Sequence, residues 1–405
     1  MCKRRVFFNY FKISIMGVLM MIIASGLIVK TEASTVTDEE TGYTYSKTGK
    51  VTSEFPILRA IVDIENYKAS EKNHLTGKTY SGTLGHYLVG GNIYYPIPGV
   101  RNTNVLGNNC ATMVPQGICR MDNYILITAY DAIEAYDKRV FNAEIGNYED
   151  KSSYLKRNAY NSVIYLLTVD GTYITTLVYN RACHMGGVTY DGKYVWIAEG
   201  ESGVSAISKA NILRAAEVAT KKKAKSIKLP GINKVSTNKL NTSASYCTYF
   251  DNKVWIGTFD KDSPSHIYGY AVNYSRGTPV LTPVRYIKAP KKTQGICFYK
   301  DNSNVYLAAA TSFGRNKNSK IYCYHLKDYH NPTERFNGVL QIIREDPYKT
   351  ITFPPMIEQI NLNGVFLYAI FESGARPYVD KSDGGDDTDY PIGYYCIFDA
   401  ALIFK

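Results

Sequence analysis

The sequence Gln-Gly-Ile-Cys occurs twice in this chain, at residues 116–119 and 294–297, and an Asp-Asn pair follows each copy within a few residues. Such a repeat constrains the fold more than composition does, because self-similar units indicate a repeat architecture. Each copy belongs to an apolar run, a turn dipeptide and a second apolar run, which is the pattern of a β-hairpin. The chain is therefore predicted to repeat one hairpin unit.

Five such units follow when the turn dipeptides are aligned, and they begin at Pro115, His184, Ser245, Gln294 and Ile357. The only two tryptophans, Trp196 and Trp255, fall at the same position of two units. Further apolar stretches follow each hairpin, which gives units of four strands spaced at roughly 50 to 70 residues, as in a β-propeller.

The predicted fold class is all-β, a β-propeller with five blades, or six if residues 55–105 form a blade of their own. The last unit ends one strand early at Lys405. We expect the β-rich segment LGHYLVGGNIYYPIPG, at residues 84–99, to supply the missing strand and close the ring. The propeller domain is then predicted over residues 55–405.

The N-terminal residues have the pattern of a targeting segment. Basic residues precede a charge-free apolar run from Ile13 to Val29, and Ala33 follows as the best cleavage position. Residues 1–33 are therefore predicted to be a signal peptide, or a signal anchor if they stay uncleaved. We expect a secreted or cell-surface protein whose only membrane contact is an uncleaved leader. Residues 34–54, rich in Thr, Ser, Glu and Gly, are predicted to be flexible.

Charge and cysteine content exclude several classes of function. The leader holds five basic residues and one acidic residue, so the formal net charge of +11 falls to +7 without it, which does not indicate a nucleic-acid partner. The densest basic cluster, Lys221 to Lys228, is interpreted as a solvated loop, with contact to an anionic cell envelope as the alternative. The cysteines after the leader lack the spacing of a zinc site and are predicted to be mostly free, buried thiols.

The hairpin geometry predicts one site. The innermost strand of a blade begins at the face where the second strand ends, so residues at those two places meet at one mouth of the central channel. The inner strands begin with polar residues, namely Gln116, His184, Ser245, Gln294 and Glu358. The second strands end with residues that are mostly carboxylates, namely Asp131, Glu201, Asp260, Thr311 and Glu372.

We predict ligand binding by Gln116, His184, Gln294, Glu358, Asp131, Glu201, Asp260 and Glu372. A cluster of carboxylates would suit calcium, which takes six to eight oxygen ligands. The catalytic candidates are Glu358 and Glu372 as an acid and base pair, or His184 as a general base assisted by Glu199 or Glu201. The competing interpretation is that these residues make turns or satisfy neighbouring backbone groups.

The segments PQG, HMGG, PPMIEQI and FESGARPY resemble a group of secreted propeller-like proteins of Gram-positive bacteria, over a region from Gly91 to the C-terminus. More loosely, the blade layout is similar to NHL and lactonase-type propellers, which hold a metal or substrate at the channel mouth. This chain has no clear equivalent of their metal-binding residues, so the resemblance implies the fold and an exported location, and assigns no residue.

The leading functional hypothesis is an exported β-propeller that binds a glycan or a peptide at this mouth, because the chain has 36 tyrosines and exposed tyrosines stack on such ligands. One alternative is a hydrolase or lyase at the same mouth, with calcium as its candidate cofactor. The other is a structural propeller whose outer faces bind cell-envelope components.

Overall fold

The structure is a computed structural model that describes residues 35–37, 42–46, 86–89, 94–98, 113–132, 140–142, 147–149, 161–201, 203–235, 243–274, 277–379, 388 and 391–405. The predicted leader, Cys110 and most of the acidic segment at 380–390 lie outside these residues.

Three short strands precede the first repeat: β1 (Thr35–Thr37), β2 (Thr44–Ser46) and β3 (Tyr94–Pro96). We expected residues 34–54 to be flexible, whereas β1 and β2 form an antiparallel hairpin added to the outer edge of the first blade. Their Thr, Val and Tyr residues favour extended backbone, and pairing with a later strand satisfies their backbone groups.

Blade 1 pairs four antiparallel strands from the axis outwards: β4 (Met113–Met121), β5 (Tyr124–Asp131), β8 (Val163–Thr168) and β9 (Tyr173–Val178). Between its second and third strands, β6 (Val140–Asn142) and β7 (Asn147–Glu149) form a separate hairpin. Blade 2 has the same order: β10 (Gly187–Tyr190), β11 (Tyr194–Ala198), β12 (Val204–Ser208) and β14 (Ile232–Val235).

A helix and a strand lie between the third and fourth strands of blade 2: α1 (Lys209–Lys222) and β13 (Ser226–Lys228). The Ser208 side chain caps α1 by accepting from the Asn211 N–H at 3.2 Å, and Lys223, with a φ of 51°, ends it. The prediction that Lys221 to Lys228 form a loop is wrong, because these residues finish α1 and form β13, which pairs with β9 and β2. Lysines in the last turn complement the helix dipole, so this charge pattern marks a helix end.

Blade 3 consists of β15 (Tyr246–Phe250), β16 (Lys253–Gly257), β17 (Ser265–Asn273) and β18 (Val280–Ala289). Blade 4 consists of β19 (Thr293–Asp301), β20 (Asn304–Thr311), β21 (Ser319–His325) and β24 (Lys349–Phe353). Two strands in the last loop of blade 4, β22 (Arg335–Phe336) and β23 (Val339–Gln341), return to the outer edge of blade 3.

Blade 5 contributes β25 (Ile357–Asn363), β26 (Phe366–Phe371) and β27 (Tyr394–Asp399), with short helices α2 (Arg376–Val379) and α3 (Ala400–Phe404). Its fourth strand is β3, which pairs antiparallel with β27 and lies before blade 1 in the chain. The predictions of a β-propeller, of five blades and of ring closure by an N-terminal strand are confirmed. The protein is a five-bladed β-propeller.

The hydrophobic core is divided into layers between neighbouring blades. The repeated Ile-Cys pair explains how each inner strand serves two layers, because successive side chains of a strand point to opposite faces. Ile118 packs between blades 5 and 1 while Cys119 packs between blades 1 and 2. Ile296 and Cys297 repeat this three units later, between blades 3 and 4 and between blades 4 and 5. The six cysteines within the described residues are free and buried, as expected.

The tight turns between first and second strands lie together on the face opposite the predicted site. Several of their residues have the left-handed conformation that the Asp, Asn and Gly pattern predicts, including Asp122 at φ 51° and Asn302 at φ 55°. In two of these turns an aspartate accepts a hydrogen bond from a tyrosine of the next blade. Tyr274 donates to Asp191 at 2.7 Å, and Tyr329 donates to Asp251 at 2.9 Å. These hydrogen bonds join blade 2 to blade 3 and blade 3 to blade 4.

Candidate functional site

The upper mouth is defined here as the face where the innermost strands begin, with Gln116 and Glu358 as its markers. The strand register brings the start of each inner strand beside the end of the second strand, as in the pairs Met113 with Asp131 and Ile357 with Phe371. The opposite face, which carries the tight turns at Gly192 and Gly364, is called the lower mouth.

Three of the five innermost strands are irregular at the same position. The pairing shifts between Pro115 and Gly117, between Thr293 and Gly295, and between Ile357 and Ile360. A β-bulge redirects a side chain that a regular strand would point between the blades. The redirected residues are Gln116, Gln294, Glu358 and Gln359.

Gln359 occupies the axis of the propeller. Its side chain is fully buried, and its Oε1 accepts from the backbone N–H groups of Ile118, at 3.0 Å, and Val188, at 2.9 Å. Its Nε2 donates to the carbonyls of Val188, at 2.7 Å, and Cys247, at 2.9 Å. One carboxamide from blade 5 therefore bonds to the inner strands of blades 1, 2 and 3 and uses both its donors and two acceptor sites.

Glycines make room for this side chain. A Cβ on Gly117 would lie 2.7 Å from Gln359 Oε1 and 2.6 Å from Thr128 Oγ1, and a Cβ on Gly295 would lie 2.8 Å from the Gln359 Cα. The glycines of the repeated Gln-Gly-Ile-Cys thus allow the inner strands to approach Gln359. The axis is filled at this level, so a ligand at the upper mouth would occupy a cup that does not continue along the channel.

Glu358 and Glu372 form a carboxyl pair at the upper mouth. They share a hydrogen bond, and Glu372 also accepts from the Gln116 amide at 2.9 Å and from the Tyr378 hydroxyl at 3.2 Å. Glu358 is only 4% exposed, while Glu372 is partly exposed. The pair therefore has one member inside the protein and one that reaches the solvent of the mouth.

Burial and proximity favour the protonated form of this pair. Burial, and then the nearby charge of Glu372, raise the pKa of Glu358 well above its usual value. Burial also raises the pKa of Glu372 to about 7, although Gln116, Tyr378 and the positive charge of Arg315 oppose that rise. Near neutral pH the two carboxyl groups hold at least one proton between them, because two adjacent carboxylates repel each other.

Arg315 and Tyr378 complete this wall of the mouth. The Arg315 guanidinium lies 4.7 Å from the centre of the Tyr378 ring. Val114, Tyr130 and Met356 pack around Tyr378 in a small apolar cluster between blades 5 and 1. The wall thus combines a cation, two tyrosines and the carboxyl pair.

His184 lies at the same mouth without a carboxylate partner. Its ring is exposed and packs 4.7 Å from the Tyr130 ring, and within the described residues it makes no hydrogen bond. Desolvation by the surrounding protein lowers the pKa of His184 to about 4, and the exposure of the ring limits this shift. With either the full or the limited shift, the imidazole is neutral at neutral pH. Glu199 does not assist His184, because it is buried and bound to Arg181, at 2.5 Å, and to Tyr179.

The other predicted carboxylates are not brought together. Asp131 is fully buried at the end of β5, and Glu201 is exposed on a turn. Asp260 accepts from the backbone N–H groups of Asp262 and Ser263 at 2.8 and 2.7 Å. Its carboxylate therefore stabilises a turn, which is the competing interpretation of these residues given above. Gln294 lies partly exposed at its bulge. Across the part of the chain that the structure describes, no three His, Cys, Asp or Glu residues group as a metal site would require.

The sequence analysis missed Gln359, Arg315 and Tyr378. Gln359 had a detectable signal, because it stands in the place of Gly117 and Gly295 when the units are aligned on the following isoleucine. A large polar residue at an aligned position where other units have glycine indicates a side chain that fills the space left by the missing side chains of those units. Arg315 lies in a loop and Tyr378 lies in the short helix α2, and both connect blade strands where the repeat gives no register.

No family model matches the chain, and no curated protein matches it. Solved propellers are similar to it at low identity: the Dos1 propeller, at 8% identity and a TM-score of 0.29, covers 64% of this chain and 66% of its own. The WD40 β-propeller domain of Doa1, at 11% identity and a TM-score of 0.30, covers 64% and 75%. A putative 6-phosphogluconolactonase from Bacteroides uniformis, at 17% identity and a TM-score of 0.29, covers 60% and 57%. The chain thus spans just under two thirds of the Dos1 propeller and less of the lactonase.

The fold and the site define a class, a five-bladed β-propeller with a blocked axis and a carboxyl pair at one mouth. Among the described helices, none is long and apolar enough to cross a membrane.

Proposed function

We propose that this protein is an exported propeller that binds a ligand at its upper mouth, and that the ligand is a glycan. The observation that carries the proposal is the pair of Glu358 and Glu372, held half-buried by Gln116 and Tyr378. Buried carboxyl groups cost free energy to maintain, and such groups concentrate at functional sites. The pair lies at the upper mouth, next to the level at which Gln359 fills the axis.

The chemistry of the cup favours a glycan over a peptide. A carboxyl pair with one shared proton offers both a donor and acceptors, as hydroxyl groups require, and Tyr130 and Tyr378 lie beside it. Both tyrosines are buried in the wall, so the ring that this face presents to a ligand is the exposed imidazole of His184, which packs on Tyr130. An aromatic ring beside convergent polar groups suits sugar rings, which are apolar on their faces and polar at their edges. A peptide would instead favour an unpaired strand edge or an open apolar groove.

The test is a binding screen of the full chain against oligosaccharides and peptides, followed by calorimetric titration of each hit. We expect Glu372→Ala to lower the affinity for the glycan by about tenfold or more, because a charged hydrogen bond typically contributes about 1.5–3 kcal/mol. Glu201→Ala is the matched control, since Glu201 is an exposed carboxylate near the same mouth. Equal losses in both variants, or peptide hits alone, would contradict the proposal.

A second candidate function is a hydrolase or lyase, and the shared proton favours it. Glu358 and Glu372 are hydrogen-bonded, which is closer than the carboxyl separation of either class of glycosidase, about 5 Å or more. The arrangement instead matches acid and base pairs that share one proton. Ester, lactone, phosphoester and glycoside substrates should be tested with and without calcium. Turnover that both Glu358→Gln and Glu372→Gln abolish, while the fold persists, would establish this function over binding alone.

The third candidate, a structural propeller that binds cell-envelope components, depends on the basic end of α1 and on β13. Lys221 and Lys223 are exposed there. If this surface carries the function, Lys221→Ala with Lys223→Ala should weaken sedimentation with cell walls in a salt-dependent way, and Glu372→Ala should not. Export itself is checked by locating the chain with and without residues 1–33 in cell fractions.

A further inference from the structure

The lower mouth contains a cavity of about 240 Å³. It lies where the innermost strands of blades 3, 4 and 5 end, and its walls are Thr248, Tyr249, Phe250, Cys297, Phe298, Tyr299, Lys300, Leu362 and Gly364. This cavity is independent of the upper mouth, because Gln359 fills the axis and donates to the carbonyl of Cys247, the residue before Thr248.

Thr248 provides a polar group that lacks a protein partner. The residue is only 3% exposed, it lines the cavity, and its hydroxyl makes no hydrogen bond with any of the described residues. The hydroxyl is reached from the cavity and is not closed off from solvent, so water in the cavity can bond with it. A ligand hydroxyl that enters the cavity can take the place of that water and make the same bond.

Lys300 gives the cavity a positive charge. Its side chain is exposed at the rim and forms no ion pair with the described acidic residues, although its charge helps to lower the pKa of Asp251. The Cys297 thiol in the wall stays neutral, because burial raises its pKa well above the usual value. The charge available to a ligand in this cavity is therefore positive.

Aromatic side chains form most of the remaining wall. Phe250 and Phe298 stack on each other with centroids 4.9 Å apart, which fixes one side, while Tyr249 and Tyr299 are partly exposed. Tyrosine presents an apolar ring and a polar tip, so two of them beside a hydroxyl and an ammonium make a mixed surface. Such a surface suits a ring that has apolar faces, hydroxyl groups and one negative charge.

We propose that the lower mouth is a second binding site, and that it takes a single sugar ring bearing a carboxylate. The volume is smaller than that of drug-sized pockets, which are about 300–1,000 Å³, so it limits the ligand to about one ring with its substituents. Thr248 bonds a ring hydroxyl, Lys300 pairs with the carboxylate, and Tyr249 and Tyr299 contact the ring.

The test titrates glucuronate into the full chain by calorimetry, with glucose and benzoate as separate arms. We expect glucuronate to bind more tightly than either. Lys300→Ala should weaken it by about fivefold or more, and Thr248→Val by about threefold or more, since a neutral hydrogen bond contributes less than a charged one. Lys291→Ala, which removes an exposed lysine at the upper mouth, is the matched control and should leave the affinity unchanged.

Several results would overturn the proposal. Equal affinity for glucose and glucuronate would exclude recognition of the charge, and a preference for benzoate would exclude the sugar. Loss of glucuronate binding in Glu372→Ala but not in Lys300→Ala would place the ligand at the upper mouth. No binding by any of the three compounds would exclude the site. Because Lys300 is on the surface, its variant remains informative even if Thr248→Val does not fold.

Discussion

Gln359 shows how one residue can complete a five-bladed ring. A buried primary amide is stable only when its donors and acceptors are satisfied, and the backbones of three blades do this for Gln359. The bulge at Glu358 and Gln359 turns one side chain towards the axis and the other towards the upper mouth. Of these two neighbouring residues, Gln359 therefore has a structural role and Glu358 has a candidate functional role.

Replacing this amide with an apolar side chain of similar size should destabilise the fold. Gln359→Leu leaves the N–H groups of Ile118 and Val188 buried without their acceptor, and each such loss costs about 1–3 kcal/mol. We expect the free energy of unfolding to fall by about 3 kcal/mol or more in urea titrations. Gln294→Leu, at a matched but partly exposed bulge, should change it by less than about 1 kcal/mol. Similar values for the two variants would contradict the role of Gln359.

The carboxyl pair predicts that the free energy of unfolding falls as the pH rises, which is opposite in sign to ordinary acid denaturation. The folded state raises the pKa of both Glu358 and Glu372, so their contribution to stability is fully present below the unfolded value of 4.5. It is lost as the pH rises through about 7, the pKa of Glu372. We expect wild type to lose unfolding free energy between about pH 5 and about pH 8, relative to a variant carrying Glu358→Gln and Glu372→Gln.

His184 provides the opposite control for this measurement. Surrounding protein lowers its pKa from the usual 6.5, and the exposure of the ring reduces that shift, so His184 contributes a small stabilisation that is present above pH 6.5 and is lost as the pH falls. His184→Gln should therefore remove part of the loss on the acidic side and leave the slope towards pH 8 unchanged. A flat difference between wild type and the paired Glu variant would show that the two carboxyl groups titrate normally.

At the scale of elements, the tight turns of the lower mouth also connect blades. In blades 2 and 3 the turn aspartate accepts from a tyrosine of the following blade, Tyr274 or Tyr329. Burial, and then the aspartate itself, raise the pKa of both tyrosines. The neutral hydroxyl therefore remains a donor, and the same hairpin that starts a blade also holds the next one.

Removing one of these hydroxyl groups should weaken the joint between blades. We expect Tyr329→Phe to lower the free energy of unfolding by about 1–2 kcal/mol, because it removes a hydrogen bond to a charged acceptor and preserves the ring. Tyr299→Phe is a suitable control, since the Tyr299 hydroxyl makes no hydrogen bond with the described residues while its ring stacks on Phe404 at 4.9 Å. Chemical denaturation measures the free energy of unfolding of both variants. Equal values for Tyr329→Phe and Tyr299→Phe would show that the hydrogen bond to Asp251 does not stabilise the contact between blades.

The sequence predicts these elements well wherever the repeat extends. Alignment of the hairpins located all five inner strands and the strand that closes the ring. It failed for β13 and for the β1–β2 hairpin, which are too short for periodicity and exist because a neighbouring strand pairs with them. The site followed the same division: Gln116, Glu358 and Glu372 lie on repeated positions and come together, whereas Arg315 lies in a loop.

Four carboxylates were expected to meet, but the structure does not group them, and Glu372 pairs with Glu358 instead. Asp131, Glu201 and Asp260 occupy equivalent positions in the sequence, but Asp131 is buried at the end of β5, Glu201 is exposed on a turn, and Asp260 accepts from backbone N–H groups of its own turn. A side chain's direction after the last paired residue depends on that turn, which strand periodicity does not specify. Glu372 differs because Gln116 and Tyr378 hold it towards Glu358.

At the scale of the whole molecule, the ring depends on a strand that lies before blade 1 in sequence. β3 pairs with β27, while Ile97 and Tyr95 pack in the layer between blades 5 and 1 and Leu88 packs between blades 4 and 5. The two ends of the propeller are thus joined by backbone hydrogen bonds and by two core layers. An open ring would expose both layers to solvent, at about 25 cal/mol for each Å² of apolar surface.

Truncation tests this closure directly. A chain that begins at residue 86 keeps β3 but loses β1 and β2, and we expect it to unfold in one cooperative transition with a modest loss of stability. A chain that begins at residue 99 lacks β3, so β27 becomes an unpaired edge and the layers beside it open. We expect this chain to lose its sharp near-ultraviolet signal or to aggregate. Cooperative unfolding of the shorter chain with wild-type stability would show that the other four blades hold blade 5 without its closing strand, and the ring would then not depend on β3.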